Sequence, residues 1–132
     1  LVKSSAASDV YKRQLQAHAI EAAEQCGGTY VPKVHTICKL IDTLEKWPKD
    51  RNIFFCNEDN LKPTRALSDL PKGAWAIFIG PEGGFSKSEK NLFLRNPKTF
   101  SMSLGPRILR ADTAAVAALT LWQSNFGDWS KK

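Results

Sequence analysis

The sequence predicts an α/β domain built on a mostly parallel sheet with flanking helices. Three observations lead there. Two apolar runs, Asn52–Cys56 (NIFFC) and Ala74–Ile79 (AWAIFI), have the composition of strands covered on both faces. Segments of helical period alternate with the strand-like ones. And two of the strands run straight into loops rich in glycine and proline that open onto a helix.

Element by element, Leu15, Ala19, Ala22 and Cys26 recur at helical spacing, and Gly27-Gly28 supplies a stop. Thr29–Val34 is short and β-prone, interrupted by Pro32. Ile37, Leu40, Ile41, Leu44 and Trp47 line one face of a second helix, with Lys39, Asp42, Glu45 and Lys46 opposite and Pro48 at its end. After the NIFFC strand, Leu61–Lys72 reads as loop with some helix around Thr64–Leu70. Ala74–Ile79 reads as the central strand of the sheet. Ser86 and Glu89 fit a capping box for the next helix, which stops before Asn96-Pro97. Thr99–Leu104 alternates as a strand, Gly105–Arg110 is loop, and a last helix capped by Asp112 or Thr113 carries Ala115, Val116, Leu119, Trp122 and Phe126 as its apolar stripe.

The chain has 132 residues, enough for one hydrophobic core and too few for two. Residues 1–14 are small and polar and lead into no clear element. They are expected to be a non-native or disordered tail, with the domain proper at 15–132. Nineteen basic residues against 13 acidic ones give a net charge of +6, which favours an anionic partner such as nucleic acid, or simply a solvated surface. Three cysteines, none in a C-x-x-C spacing, argue against a disulfide framework and against a zinc site. No apolar run reaches the ~18–20 residues of a membrane helix, and no signal-peptide pattern opens the chain, so a cytoplasmic protein without membrane partners is expected.

Two motifs carry the chemistry. Ile79-Gly80-Pro81-Glu82-Gly83-Gly84-Phe85-Ser86 stands where a parallel strand ends and a helix begins, the place where open α/β sheets bind ligands. Its glycines let backbone approach a ligand closely, and its N–H groups can serve a carboxylate, a phosphate or an adenine edge. A tight turn with no ligand would use the same residues. The loop lacks both the Lys-Ser/Thr of a P-loop and the G-x-G-x-x-G of a dinucleotide fold. The second motif, Leu104-Gly105-Pro106-Arg107-Ile108-Leu109-Arg110-Ala111-Asp112-Thr113-Ala114, is another strand-end loop. Its aliphatic residues can sandwich a flat ring, while Arg107 and Arg110 either pair with phosphate or carbonyl oxygens or lie solvated on the surface.

Together the two motifs resemble the RsmE family, SPOUT-class methyltransferases that use S-adenosylmethionine to methylate N3 of a uridine in small-subunit (16S) ribosomal RNA. Ile20–Gly27 with Val31-Pro32 resembles the family's first helix and turn, so the likeness runs over about residues 15–128. The resemblance implies a C-terminal trefoil knot, a homodimer, and one bent cofactor pocket between the two loops. It implies that Ile79, Gly80, Pro81, Glu82, Gly83, Leu104, Gly105, Ile108 and Leu109 hold S-adenosylmethionine, with no metal. A uridine N3 must lose its proton before it can attack the methyl group. Arg107 and Arg110 are the candidates to stabilise the charge that spreads onto its carbonyl oxygens, and Asp112 or Glu82 the candidate to take the proton. The family more often carries Glu where Asp112 stands, one methylene longer. The family's N-terminal RNA-gripping β-barrel has no counterpart in these residues. Trp122, Phe126 and Trp129 belong either to a dimer interface or to packing on the chain's own sheet. Two other readings use the same residues: a catalytically idle RNA- or cofactor-binding fragment, and a nucleotide- or phosphate-binding α/β domain of another class.

Overall fold

A computed structural model describes residues 5–59 and 67–130. The chain divides into two compact units, Leu1–Lys39 and Leu40–Lys132.

The first unit is one long helix and a return segment. Helix α1 spans Ser5–Cys26, so residues 5–14, expected to lie outside the fold, form its opening turns. The helix ends as the sequence predicts. Gly28 N donates to Ala23 O at 2.8 Å and Gly27 N to Glu24 O at 3.4 Å, the paired bonds that satisfy a helix's last carbonyls. The chain then doubles back. Gln16 clamps it by donating from Nε2 to Pro32 O at 2.9 Å and accepting from Val34 N at 2.8 Å through Oε1. Residues 29–34 form no strand; their backbone bonds go to a side chain instead of a ladder, and Pro32 has no N–H to give one. The inward face is also rotated from the expected stripe. Ala23 is buried, whereas Leu15, Ala22 and Cys26 are exposed, because Gln16, not an apolar residue, fixes which side of the helix is covered.

The second unit is an α/β layer structure. Helix α2 is Leu40–Glu45, shorter than the expected 37–47. Upstream, β-branched Val34, Thr36 and Ile37 disfavour extending it. Strands β1 (Arg51–Cys56), β2 (Ala74–Phe78) and β3 (Thr99–Met102) form a parallel sheet of order β2-β1-β3. In register, Ile53 is opposite both Ala76 and Thr99. The central strand is therefore β1, with Asn52–Phe55 buried, and not Ala74–Ile79 as the apolar run suggested. An edge strand can read as fully apolar when both its faces, though not its outer edge, are covered. Residues 64–66 of the helix expected at 64–70 lie outside the described residues; in the rest a single 3-10 turn occupies Leu67–Asp69.

Alternation along β1 builds two cores. Ile53 and Phe55 face one side, with Leu44, Trp47, Phe78, Phe85 and Phe93. Phe54 and Cys56 face the other, with Trp75, Ile77, Phe100, Met102, Ala118, Trp122 and Phe126. Helix α3 (Lys87–Arg95) contributes Phe93 to the first core, its ring stacked on Phe55 at 4.1 Å. Helix α4 (Ala111–Asn125) covers the second. Its buried residues are Ala114 and Ala118, while Val116 and Leu119 of the expected stripe are exposed. The sheet face below already carries Phe54, Trp75, Phe100 and Met102, and small helix residues are what let the backbone approach so bulky a layer. Trp122 and Phe126 pack into this core, and Trp129 stays exposed.

Candidate functional site

A parallel sheet brings the carboxyl ends of all its strands to one edge, and that edge holds a cleft. Cys56, Asn57 and Glu58 leave β1, Ile79, Gly80 and Pro81 leave β2, and Leu104, Gly105 and Pro106 follow β3; all of them line it. The cleft encloses about 80 Å³, short of the ~300 Å³ at the lower end of formed small-molecule pockets. The reason is that the wall at residues 105–108 stands in solvent.

The first wall, 79–86, is held at both of its ends. A Cβ at Gly80 would come within 2.9 Å of the Phe85 ring, so only glycine lets the strand end lie on that ring. Phe85 is itself fixed against Phe55 and Phe93, with centroids at 5.1 and 5.3 Å. Gly84 N donates to Pro81 O at 2.8 Å and closes the turn, with Gly84 at φ +71, a conformation that favours glycine. The expected capping box is present: Ser86 Oγ accepts from Glu89 N at 3.2 Å and Glu89 Oε2 accepts from Ser86 N at 2.8 Å.

The second wall, 104–110, has little to hold it. Gly105 N donates to Ser103 Oγ at 3.2 Å, and Ile108 is 74% exposed. Helix α4 starts without a side-chain cap, because its N-cap residue is Arg110. Neither Asp112 nor Thr113 caps it as expected. Asp112 lies inside the first turn and accepts from Thr113 N at 2.8 Å.

Of the residues expected to hold a cofactor, Ile79, Gly80, Pro81, Leu104, Gly105, Ile108 and Leu109 line the cleft. Glu82 and Gly83 stand exposed at the tip of the turn and do not line it. Arg107 lines the cleft, whereas Arg110 and Asp112 do not; they face each other at 3.8 Å on the surface. The sequence reading missed the border supplied by β1. The rule that located the other two loops also applies to the end of NIFFC, so Cys56–Glu58 could have been found. Burial pushes the Cys56 thiol up from 9.0 to about 12, so it is neutral and a poor nucleophile at physiological pH.

Fold and cleft together define a parallel α/β domain with a cleft across its strand ends, between a glycine-rich loop and an aliphatic one. Comparison with known proteins makes this specific. The model of the RNA methyltransferase domain family matches residues 1–123. The Rickettsia conorii ribosomal RNA small subunit methyltransferase E is 35% identical over 103 residues, covering 76% of this chain and 41% of that protein. The chain belongs to this RNA methyltransferase family, in the RsmE group. Among solved structures, the Neisseria gonorrhoeae ribosomal RNA small subunit methyltransferase E bound to S-adenosyl methionine superposes with a TM-score of 0.82 at 29% identity, over 92% of this chain and 51% of that one. A Legionella pneumophila protein in complex with the cofactor SAM gives a TM-score of 0.83 at 30% identity, over 97% of this chain and 52% of that one. The chain thus spans about half the length of these relatives or less.

Proposed function

We propose that this chain is the S-adenosylmethionine-binding domain of a methyltransferase that modifies N3 of a uridine in 16S ribosomal RNA. The observation that carries the reading is the convergence of Ile79–Pro81 and Leu104–Leu109 on one cleft. The lining fits the cofactor. Ile79, Met102, Leu104, Ile108 and Leu109 offer apolar surface to a flat ring, and the loop backbones offer hydrogen-bonding groups to its edge. The cofactor supplies an electrophilic methyl group on a sulfonium; the protein supplies position, and holding the methyl near an attacking nitrogen is where most of the rate is gained.

Arg107, the one arginine among the described residues that line the cleft, is assigned to stabilise charge on the uridine carbonyl oxygens. Arg110, on the surface three residues further along, is assigned to RNA contact. Asp112 serves the first turn of α4, where a carboxylate also complements the helix dipole. The net charge of +6 suits an RNA or small-ribosomal-subunit partner. The reading carries with it the family's trefoil knot, a cytoplasmic location, and a homodimer. For the last, Val116, Leu119 and Trp129, at 66%, 53% and 64% exposure, are the apolar residues a second copy would cover.

Calorimetric titration of the chain with S-adenosylhomocysteine tests the reading. Saturable binding near one site per chain is expected, with methyl transfer to unmodified small subunits as the second measurement. Binding without transfer would indicate a cofactor-binding fragment. Tight binding of a nucleoside diphosphate, with none of S-adenosylhomocysteine, would indicate a nucleotide-binding domain instead.

A further inference from the structure

Among the described residues Glu58 is the one carboxylate lining the cleft. It lies directly under the glycine-rich loop, where a Cβ added at Gly84 would overlap its carboxylate. Lys90, from the first turn and a half of α3, reaches back to the same place. Its Nζ pairs with Asp59 Oδ2 at 2.5 Å and stands 3.9 Å from Glu58 Oε1. Asp59 therefore takes the short bond and Lys90 holds Glu58 only at long range. Among the described residues Glu58 accepts no hydrogen bond, and 31% of its side chain remains exposed. It keeps acceptor capacity for something that enters the cleft.

A glycine-rich loop before a helix is ordinarily an anion site, because its N–H groups and the helix dipole favour negative charge. In this chain three of those donors are consumed internally. Gly84 N goes to Pro81 O, Ser86 N to the Glu89 carboxylate, and Glu89 N to Ser86 Oγ. Glu89 already occupies the place where an anion would sit, and Glu58 puts a second negative charge under the loop.

We propose that Glu58 is a specificity-determining residue: its carboxylate accepts from a hydroxyl or ammonium group of an adenosine-type cofactor and repels phosphate. The loop thereby takes a ligand of the S-adenosylmethionine class and refuses nucleoside di- and triphosphates. The inference rests on the cofactor reading above, and its test separates the two.

The whole chain and its Glu58→Gln and Glu58→Asp variants are titrated with S-adenosylhomocysteine, 5′-methylthioadenosine and ADP. The unsubstituted chain is expected to bind S-adenosylhomocysteine at least about 100-fold more tightly than ADP. Glu58→Gln is expected to weaken S-adenosylhomocysteine about ten-fold, the loss of one charge-assisted hydrogen bond, and to strengthen ADP by a similar factor. Glu58→Asp keeps ADP excluded although its shape departs further from glutamate, which a merely structural role would not produce. Equal weakening of 5′-methylthioadenosine by Glu58→Gln identifies the ribose hydroxyls as the donor; no weakening identifies the amino group. Should either variant fail to fold, the unsubstituted chain gives the same answer: raising salt from about 50 to 500 mM should favour ADP relative to S-adenosylhomocysteine, as screening relieves repulsion. Unchanged affinities in Glu58→Gln, or salt that disfavours ADP, would overturn the proposal while leaving the cofactor reading intact. A folded chain that binds ADP and not S-adenosylhomocysteine would overturn both.

Discussion

The two loops that wall the cleft occupy equivalent places, each between a parallel strand and the helix that follows it, yet they are held very differently. The 79–86 loop rests on Phe85, is closed by the Gly84–Pro81 bond and ends in a complete capping box. The 104–110 loop ends at an uncapped helix, with Ile108 largely in solvent. One wall is built by the protein itself; the other is left for the ligand to complete. Such a division is economical for a cofactor that must enter and leave, because the ordering cost falls on one loop rather than two.

Substitutions can break this contrast. The largest effect is expected from Gly84→Val, which combines a backbone at φ +71 with overlap on Glu58; it should cost on the order of 2–4 kcal/mol in urea unfolding and abolish cofactor binding. Gly105→Ala is the matched change on the other wall. Gly105 has φ +107 but nothing within 4 Å of a Cβ, so strain alone should cost about 1 kcal/mol or a little more. Ile108→Ala should leave unfolding within about 0.5 kcal/mol of the unsubstituted chain, since no packing is lost, and yet weaken S-adenosylhomocysteine several-fold by calorimetry. Ser86→Ala should cost about 1 kcal/mol by removing the cap from α3. Arg110→Ser should do the reverse, adding a few tenths of a kcal/mol by giving α4 the cap it lacks.

The third border answers to pH. Burial places the Cys56 thiol at about 12 in the folded chain against 9.0 when exposed. Above pH 9 the unfolded chain sheds this proton and the folded chain does not, so stability falls as pH rises from about 9 towards 12, while below pH 9 the thiol contributes no slope. Denaturation series at pH 8 and pH 10 should show the loss, and Cys56→Ala should flatten it.

Much of this was legible in the sequence. The three strands, the capping box of α3 and both cleft loops follow from apolar runs, S-x-x-E spacing and glycine placement, all of them local signals. What was not legible depends on tertiary packing. The expected stripe of α4 followed its larger residues, but the sheet face beneath is so bulky that Ala114 and Ala118 face it instead. The inward side of α1 is chosen by Gln16 through its bonds to Pro32 and Val34, which no hydrophobic period records. Ala74–Ile79 reads as more central than NIFFC, because a sequence shows how well a strand's faces are covered and not whether its edges are paired. Glu58 and Lys90 are brought together across 32 residues by the β1–β2–α3 topology.

Hydrogen exchange with and without saturating S-adenosylhomocysteine tests the central claim most directly. New protection should appear chiefly at residues 105–110, with much smaller changes at 80–86, where the Gly84 and Ser86 amides are already bonded. Protection concentrated at 80–86, or outside both loops, would contradict the division of the cleft into one built wall and one completed by its ligand.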